Sequence, residues 1–238
     1  MSINNKIAFI TGGSKGIGLG IAQKLILQGA KVAISGRNND AVTKAADELN
    51  SQVTNSCIAI VADVRNPEDQ GRAVQRIIEE WGQLDIVIAN AGIGHFKSIE
   101  ELSIQQWNEV IDINLSGTFY TVKAALESLK ESKGYFISVA SLAGTNFFAN
   151  GSAYNASKFG VVGFTQAVML DLRKHGIKVS TIMPGSVATY FNNHVPGEKD
   201  AWKIQPEDIG QIVVDLLNMH PRTLPSKIEV RPSVPPQR

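Results

Sequence analysis

Tyr154 and Lys158, in Ala153-Tyr154-Asn155-Ala156-Ser157-Lys158-Phe159, are the pair whose types and spacing offer chemistry. Four residues apart, they share one face of any helix that carries them. A free phenol titrates near ~10, and an ammonium beside it favours the phenolate, so Lys158 is expected to pull the Tyr154 pKa down. That would make Tyr154 a proton donor or acceptor near neutral pH. Such pairs also decorate solvated helix faces, so the reading depends on what the rest of the chain brings to them.

The elements that must position the pair follow from periodicity. Apolar runs of strand length lie at Ile7 to Thr11, Lys31 to Ser35, Cys57 to Val61, Leu84 to Ala89, Tyr135 to Val139 and Val179 to Met183, with a last one near Ile228 to Val230. Helical patterns separate them. Gly29 closes the first helix, Asn66-Pro67 caps and opens another that Gly82 ends, and Pro206-Glu207-Asp208 opens the last. Continuous β-branched strands alternating with helices predict an α/β fold: one doubly wound domain over residues 1–238, a parallel sheet covered on both faces. Two stretches break the pattern. Residues 186–205 have little apolar period, and a loop that long is usually functional or mobile. The proline-bearing tail, 231–238, is expected to be an extended surface arm.

Between the first strand and first helix stands Thr11-Gly12-Gly13-Ser14-Lys15-Gly16-Ile17-Gly18. Glycines there permit a tight turn, close backbone approach to a pyrophosphate, and an open helix N-terminus. The second strand ends Ser35-Gly36-Arg37-Asn38, where NAD enzymes place a carboxylate on the ribose 2′-hydroxyl. No acid stands there, whereas Arg37 and Lys15 would suit a 2′-phosphate, so NADP(H) is favoured. Asp63, with Val64 after the third strand, is placed to meet an adenine edge, and Asn90-Ala91-Gly92 follows the fourth strand at the crevice where such sheets bind ligands. Both stretches are also ordinary turn chemistry.

Composition narrows the remaining options. The chain has 238 residues, 43% hydrophobic and 19% charged, with a net charge of +1. That balance recruits neither nucleic acid nor an anionic membrane. Cys57 is the single cysteine, which excludes an intrachain disulfide, and it sits in an apolar run as a small core residue. His175, His194 and His220 have no metal-ligand spacing, so no metal is expected. No segment has the length of a membrane span or the flanks of a signal peptide, so the expected compartment is the cytoplasm.

These motifs, in this order, resemble the short-chain dehydrogenase/reductase family from about Lys6 to Met219. Thr11-Gly12-x-x-x-Gly16-x-Gly18 is similar to the family's cofactor turn and Asn90-Ala91-Gly92 to its NAG motif. Asn114, Ser141, Tyr154 and Lys158 match its catalytic tetrad, and Pro184-Gly185-Ser186-Val187-Ala188-Thr189 matches the segment holding the nicotinamide carboxamide. The resemblance implies a seven-stranded parallel sheet in the order 3-2-1-4-5-6-7. It implies a cofactor site of Gly12, Ser14, Lys15, Gly16, Ile17, Gly18, Arg37, Asp63, Val64, Asn90, Ala91, Gly92, Tyr154, Lys158, Pro184, Gly185, Val187 and Thr189.

The roles carried over are specific. Ser141 would bond the substrate oxygen as charge develops, Tyr154 would give it a proton, and Lys158 would bind the nicotinamide ribose and lower the tyrosine pKa. Asn114 would hold a water linking Lys158 to solvent. The resemblance implies reduction of a small carbonyl, including the 3-oxoacyl thioesters that similar members reduce; the adjacent basic pair Arg173-Lys174 is a candidate to dock an acidic carrier.

Several expectations stay open beside it. The end Ile228-Glu229-Val230-Arg231-Pro232-Ser233 lacks an Asp-Gly-Gly segment and is closer to members acting on serine and other 3-hydroxy acids, so an oxidising alcohol or 3-hydroxy acid dehydrogenase is the enzymatic rival. A non-catalytic nucleotide sensor is the rival from another class. Phe147 and Phe148 are candidates for an apolar pocket, Tyr190, Phe191 and Trp202 for a cover, and His95 for a substrate-facing position. The helix through Phe159, Val162, Phe164, Val168 and Leu170 is more apolar than one buried face requires, as a homodimer or homotetramer would explain.

Overall fold

The first strand, β1 (Ile7–Thr11), is buried along its whole length because the sheet extends on both sides of it. In the computed structural model, which describes residues 3–234, seven strands form one parallel sheet. They are β1, β2 (Lys31–Gly36), β3 (Cys57–Val61), β4 (Ile86–Ala89), β5 (Tyr135–Val139), β6 (Lys178–Pro184) and β7 (Lys227–Val230). Their order is β3-β2-β1-β4-β5-β6-β7, as the family resemblance implied, and every pairing is parallel. The central strands β1, β4 and β5 are wholly buried, whereas the edges β3 and β7 alternate. That contrast is what a parallel sheet covered on both faces requires.

The helices are α1 (Gly16–Leu27), α2 (Asn39–Gln52), α3 (Pro67–Trp81), α4 (Ile104–Ile111), α5 (Gly117–Ser132), α6 (Ser152–Leu172) and α7 (Pro206–Asn218). Side chains on successive strand residues point to opposite faces and so feed two cores. Ala8, Ile10 and Ile137 meet Ile21, Leu25, Leu49 and Val213 from α1, α2 and α7. Phe9, Val87 and Phe136 meet Ile77, Val122, Leu129 and Leu172 from α3, α5 and α6. Phe9 and Phe136 are fully buried, each stabilising the fold by about 1.5–3 kcal/mol of transfer free energy.

The start and stop signals act as their chemistry dictates. Asn66 Oδ1 accepts from Glu68 N at 2.9 Å, Pro67 occupies the first turn of α3, and Gly82 ends that helix in the left-handed region at φ 78°. The fourth strand begins two residues later than its apolar run. Leu84 is buried, but Asp85 turns its carboxylate back to Ile7 N (2.9 Å) and Lys6 Nζ (2.7 Å). Residues 186–205 do form a loop, with short turns at Phe191–Asn193 and Glu198–Asp200 and a parallel bridge from Val187 to Ile204 closing its base. Of the expected C-terminal arm, 231–234 lack regular structure and 235–238 lie outside the described residues.

Among the described residues no helix is long and apolar enough to cross a membrane, and no group of three or more His, Cys, Asp or Glu is arranged to hold a metal. Cys57 is buried and its thiol is pushed up to about 12 by desolvation, which makes it inert.

Candidate active site

The carboxyl ends of β1, β4, β5 and β6 deliver the candidate residues to one edge of the sheet, where open α/β sheets form their crevice. The turn after β1 and the turn after β4 lock together through side chains bonded to each other's main chain. Thr11 Oγ1 accepts from Asn90 N and Ala91 N at 3.1 and 3.2 Å, and Asn90 Nδ2 donates to the carbonyls of Thr11 and Gly12 at 2.9 and 3.1 Å. Gly12 stands at φ 65°, and a Cβ there would meet Ala91 Cα at 2.9 Å. A Cβ on Gly18 would come within 2.5 Å of Gly12 O and 2.6 Å of Asn90 Nδ2. The N-terminus of α1 has no side-chain cap and no acid in its first turn, so its N–H groups are open to an anion.

The flank of this turn is basic. Arg37 is exposed after β2, and Lys15 lies 5.9 Å from the centre of the Tyr190 ring. Asp63 does not stand free as an acid. Arg65 grips both its carboxylate oxygens at 2.6–3.1 Å and, as the leading cause, holds its carboxyl below the usual range. The sequence offered Asp63 for an adenine edge and did not single out Arg65. Val64 is buried and packs where a Cβ on Gly117 would stand. Ser35 Oγ, at the end of β2, is the one buried side-chain polar atom without a partner among the described residues.

Tyr154 and Lys158 lie on α6, and Ser141 follows β5. The Ser141 hydroxyl bonds the Tyr154 phenol and accepts from Ala143 N at 3.1 Å. Lys158 is buried, its Nζ 5.7 Å from the centre of the Tyr154 ring, and it donates to Val139 O at 3.0 Å. Here the electrostatic expectation needs correction. Burial pushes the Tyr154 pKa up, and the Ser141 bond only opposes that rise. Burial also brings Lys158 down to about 8, which weakens it as a source of positive charge. With both groups out of water, desolvation outweighs the attraction that spacing alone suggested.

Asn114 lies in a π-helical turn, Asp112–Ser116, wedged between α4 and α5. Such a one-turn bulge interrupts the regular ladder and is frequent at functional sites. The side chain is spent on structure: Oδ1 accepts from Ile93 N at 2.8 Å, and Nδ2 donates to Ile93 O and Ser157 Oγ, each at 2.9 Å. Asn114 thus ties the turn after β4 to α6. Gly92 stands beside both Asn114 and Lys158, since a Cβ there would lie 3.3 Å from Oδ1 and 3.5 Å from Nζ.

Two residues between the tyrosine and the lysine escaped the sequence reading. Ser157 Oγ, fully buried, donates to Tyr154 O at 2.8 Å. Asn155 Nδ2 donates to the carbonyls of Ala143 and Asn146, each at 2.8 Å, and so fixes the segment that carries Ser141. Small polar residues on the buried face of an apolar helix were the available signal.

The segment after β6 folds back over the site. Gly185 N donates to Val230 O at 2.7 Å, anchoring Pro184-Gly185 to β7. Thr189 comes within 3.3 Å of the place a Cβ on Gly16 would take. The loop beyond it is organised by Asp200, which sequence reasoning missed. This buried carboxylate meets Lys203 Nζ at 2.6 Å, His194 Nε2 at 2.7 Å and Gly197 N at 3.0 Å, and those partners hold it well below the usual range. From this loop Phe191 reaches the Tyr154 ring at 5.6 Å, and Phe96, also missed, meets the same ring edge-on at 5.4 Å. His95 turns elsewhere, to Glu109 at 2.8 Å, and joins a shallow hollow with Arg65 and Asp112. Phe147 is 84% exposed, and Trp202 lies under Lys203.

A family model described as short chain dehydrogenase matches residues 6–200. An uncharacterized oxidoreductase of Staphylococcus aureus is 35% identical over 231 residues, 97% of this chain and 98% of its own. An alcohol dehydrogenase from the archaeon Thermococcus sibiricus, solved with 5-hydroxy-NADP, superposes with a TM-score of 0.91 at 30% identity over 99% of both chains. A 3-ketoacyl-(acyl-carrier-protein) reductase from Brucella melitensis, complexed with NADH, gives 0.89 at 25% identity, covering 98% of this chain and 99% of its own.

Proposed function

The chain belongs to the short-chain dehydrogenase family, and from that premise we propose that it is an NADP-dependent oxidoreductase reducing a carbonyl to a secondary alcohol. The observation that carries the proposal is the meeting of Ser141, Tyr154 and buried Lys158 at the edge where the β1 turn opens an anion cradle.

The residues fit the cofactor by their chemistry. The N–H groups of Gly16, Ile17 and Gly18, with Ser14, suit a pyrophosphate, and Gly12 leaves its close approach free. Arg37 and Lys15 suit a 2′-phosphate, and Asp63, already neutralised by Arg65, does not oppose it. Asp63 and Val64 would border the adenine, with Asn90, Ala91 and Gly92 on the ribose side. Lys158 has three donors and one bond among the described residues, which leaves two for ribose hydroxyls. Pro184, Gly185, Val187 and Thr189 would hold the carboxamide. The T. sibiricus enzyme, with its NADP derivative, supports this preference.

What the cofactor supplies when bound is a hydride to the carbonyl carbon. Ser141 holds the carbonyl oxygen as the π bond breaks, and Tyr154 gives that oxygen its proton, which solvent then restores. In the alcohol-oxidising direction the tyrosinate takes the proton back. Asn114 acts here by fixing the turn beside Lys158.

The test is consumption of NADPH with a panel of ketones, diketones, 3-keto acids and 3-oxoacyl thioesters. Thioester turnover is the second reading, favoured by likeness to the B. melitensis reductase. Tight NADPH binding without any turnover would mark a sensor instead. Arg37→Asp should lower the NADPH-over-NADH preference by about tenfold or more, and an unchanged ratio would refute the 2′-phosphate assignment. The enzyme is further proposed to be a homodimer or homotetramer, supported by Phe119, Phe159 and Leu170, which stand 43%, 44% and 57% exposed on α5 and α6. A monomer in sedimentation at micromolar protein would overturn that.

A further inference from the structure

Two phenylalanines, Phe96 and Phe191, pack on the ring that carries the reactive hydroxyl, and a third, Phe148, packs on Phe96 behind them. Phe96 comes from the stretch between β4 and α4, Phe148 from the approach to α6, and Phe191 from the loop after β6. Phe96 meets Tyr154 at 5.4 Å, Phe191 at 6.1 Å and Phe148 at 5.9 Å, while Phe191 meets Tyr154 at 5.6 Å. These spacings lie within the range where aromatic rings attract one another edge-on or offset.

Two glycines make room for the wall. A Cβ on Gly94 would stand 2.8 Å from Phe96 Cζ and 2.9 Å from Phe191 Cζ, and one on Gly151 would stand 2.5 Å from Phe148 Cε2. Phe148 remains 49% exposed, so the wall opens to solvent on its side. The cations of the same segments are engaged or turned out: His95 with Glu109, Lys97 with Glu101, His194 and Lys203 with Asp200, and Lys199 exposed. A substrate carboxylate against this wall would be stripped of water without a partner, which is costly.

Resting on the carbonyl-reductase reading, we propose that the substrate is an uncharged ketone with an aromatic ring within a bond or two of its carbonyl, the ring joining Phe96, Phe148 and Phe191 while the oxygen meets Ser141 and Tyr154. The wall thereby selects against the 3-hydroxy acids and short aliphatic alcohols that the sequence left open.

The test compares kcat/KM, with NADPH, for 1-phenyl-2-propanone, 1-cyclohexyl-2-propanone, acetoacetate and acetoacetyl thioester. In the first two the carbonyl is unconjugated and the ring alone differs. The phenyl ketone should exceed the cyclohexyl one by about tenfold and acetoacetate by more. Phe191→Leu and Phe148→Leu should each narrow the phenyl-to-cyclohexyl ratio to below about threefold. Equal rates on the two cyclic ketones, or a preference for acetoacetate or the thioester, would overturn the substrate class and leave carbonyl reduction standing. Turnover of no carbonyl at all would overturn both.

Discussion

The glycine turn after β1 and the loop after β6 meet at the same edge of the sheet, yet they are held by different forces. The turn is fixed by side chains clamped onto the main chain and by close backbone approach: Asn90 Nδ2 bonds two carbonyls, Thr11 Oγ1 takes two N–H groups, and glycines at 12 and 18 admit the turn after β4 at distances that exclude a Cβ. The loop has few main-chain partners outside itself and is held by side chains, with Asp200 gathering His194 and Lys203 and Phe191 leaning on Tyr154. A site for an invariant ligand portion gains from backbone rigidity, whereas a cover gains from contacts that can be remade. Change at the turn should therefore cost more than change in the loop.

Tyr154→Phe tests the point where the two regions meet. It should cut kcat by about 10²–10⁴-fold while NADPH affinity, read by fluorescence titration, changes little. Near-normal turnover would remove the tyrosine from the chemistry. Gly18→Ala strikes the turn alone. Its Cβ must displace Gly12 O or Asn90 Nδ2, so NADPH affinity should fall by about tenfold or more, with stability down by about 1–3 kcal/mol. Retained affinity would mean the turn is as forgiving as the loop.

Asp200→Asn strikes the loop. KM for the carbonyl should rise by several-fold while kcat and NADPH affinity stay close to wild type, since Asp200 positions the loop and touches no reacting atom. A matching fall in kcat would give Asp200 a more direct part. Because this carboxyl is depressed in the folded protein, its contribution is fully present above the ordinary carboxylate range and lost only as pH falls through and below it. The KM of the wild type should therefore not reflect Asp200 titration at neutral pH.

The smallest effect is on stability. Lys158 carries a folded value of about 8 against 10.5, so the folded protein sheds a proton that the unfolded chain keeps between those values. The burial penalty is complete below that window and fades as pH rises through it. Lys158→Met should melt a few degrees above wild type at neutral pH, and the gap should close as pH climbs from about 8 toward 10.5. A gap independent of pH would mean the lysine is charged at no cost.

The parallel sheet, its helix signals and the ordered Gly12, Asn90, Ser141, Tyr154 and Lys158 motifs were legible in the chain because each depends on local backbone geometry or fixed spacing. Runs of apolar residues betray a strand buried on both faces, and glycine marks where a Cβ cannot go. Phe96, Asn155 and Asp200 were not legible, since their partners are set by packing or loop course: Phe96 lies far along the chain from Tyr154, Asn155 reaches back to Ala143, and Asp200 depends on how its loop folds back. The same reason explains the reversed pKa of Tyr154. Spacing put a cation near a phenol, and only the tertiary structure decided how much water each would lose.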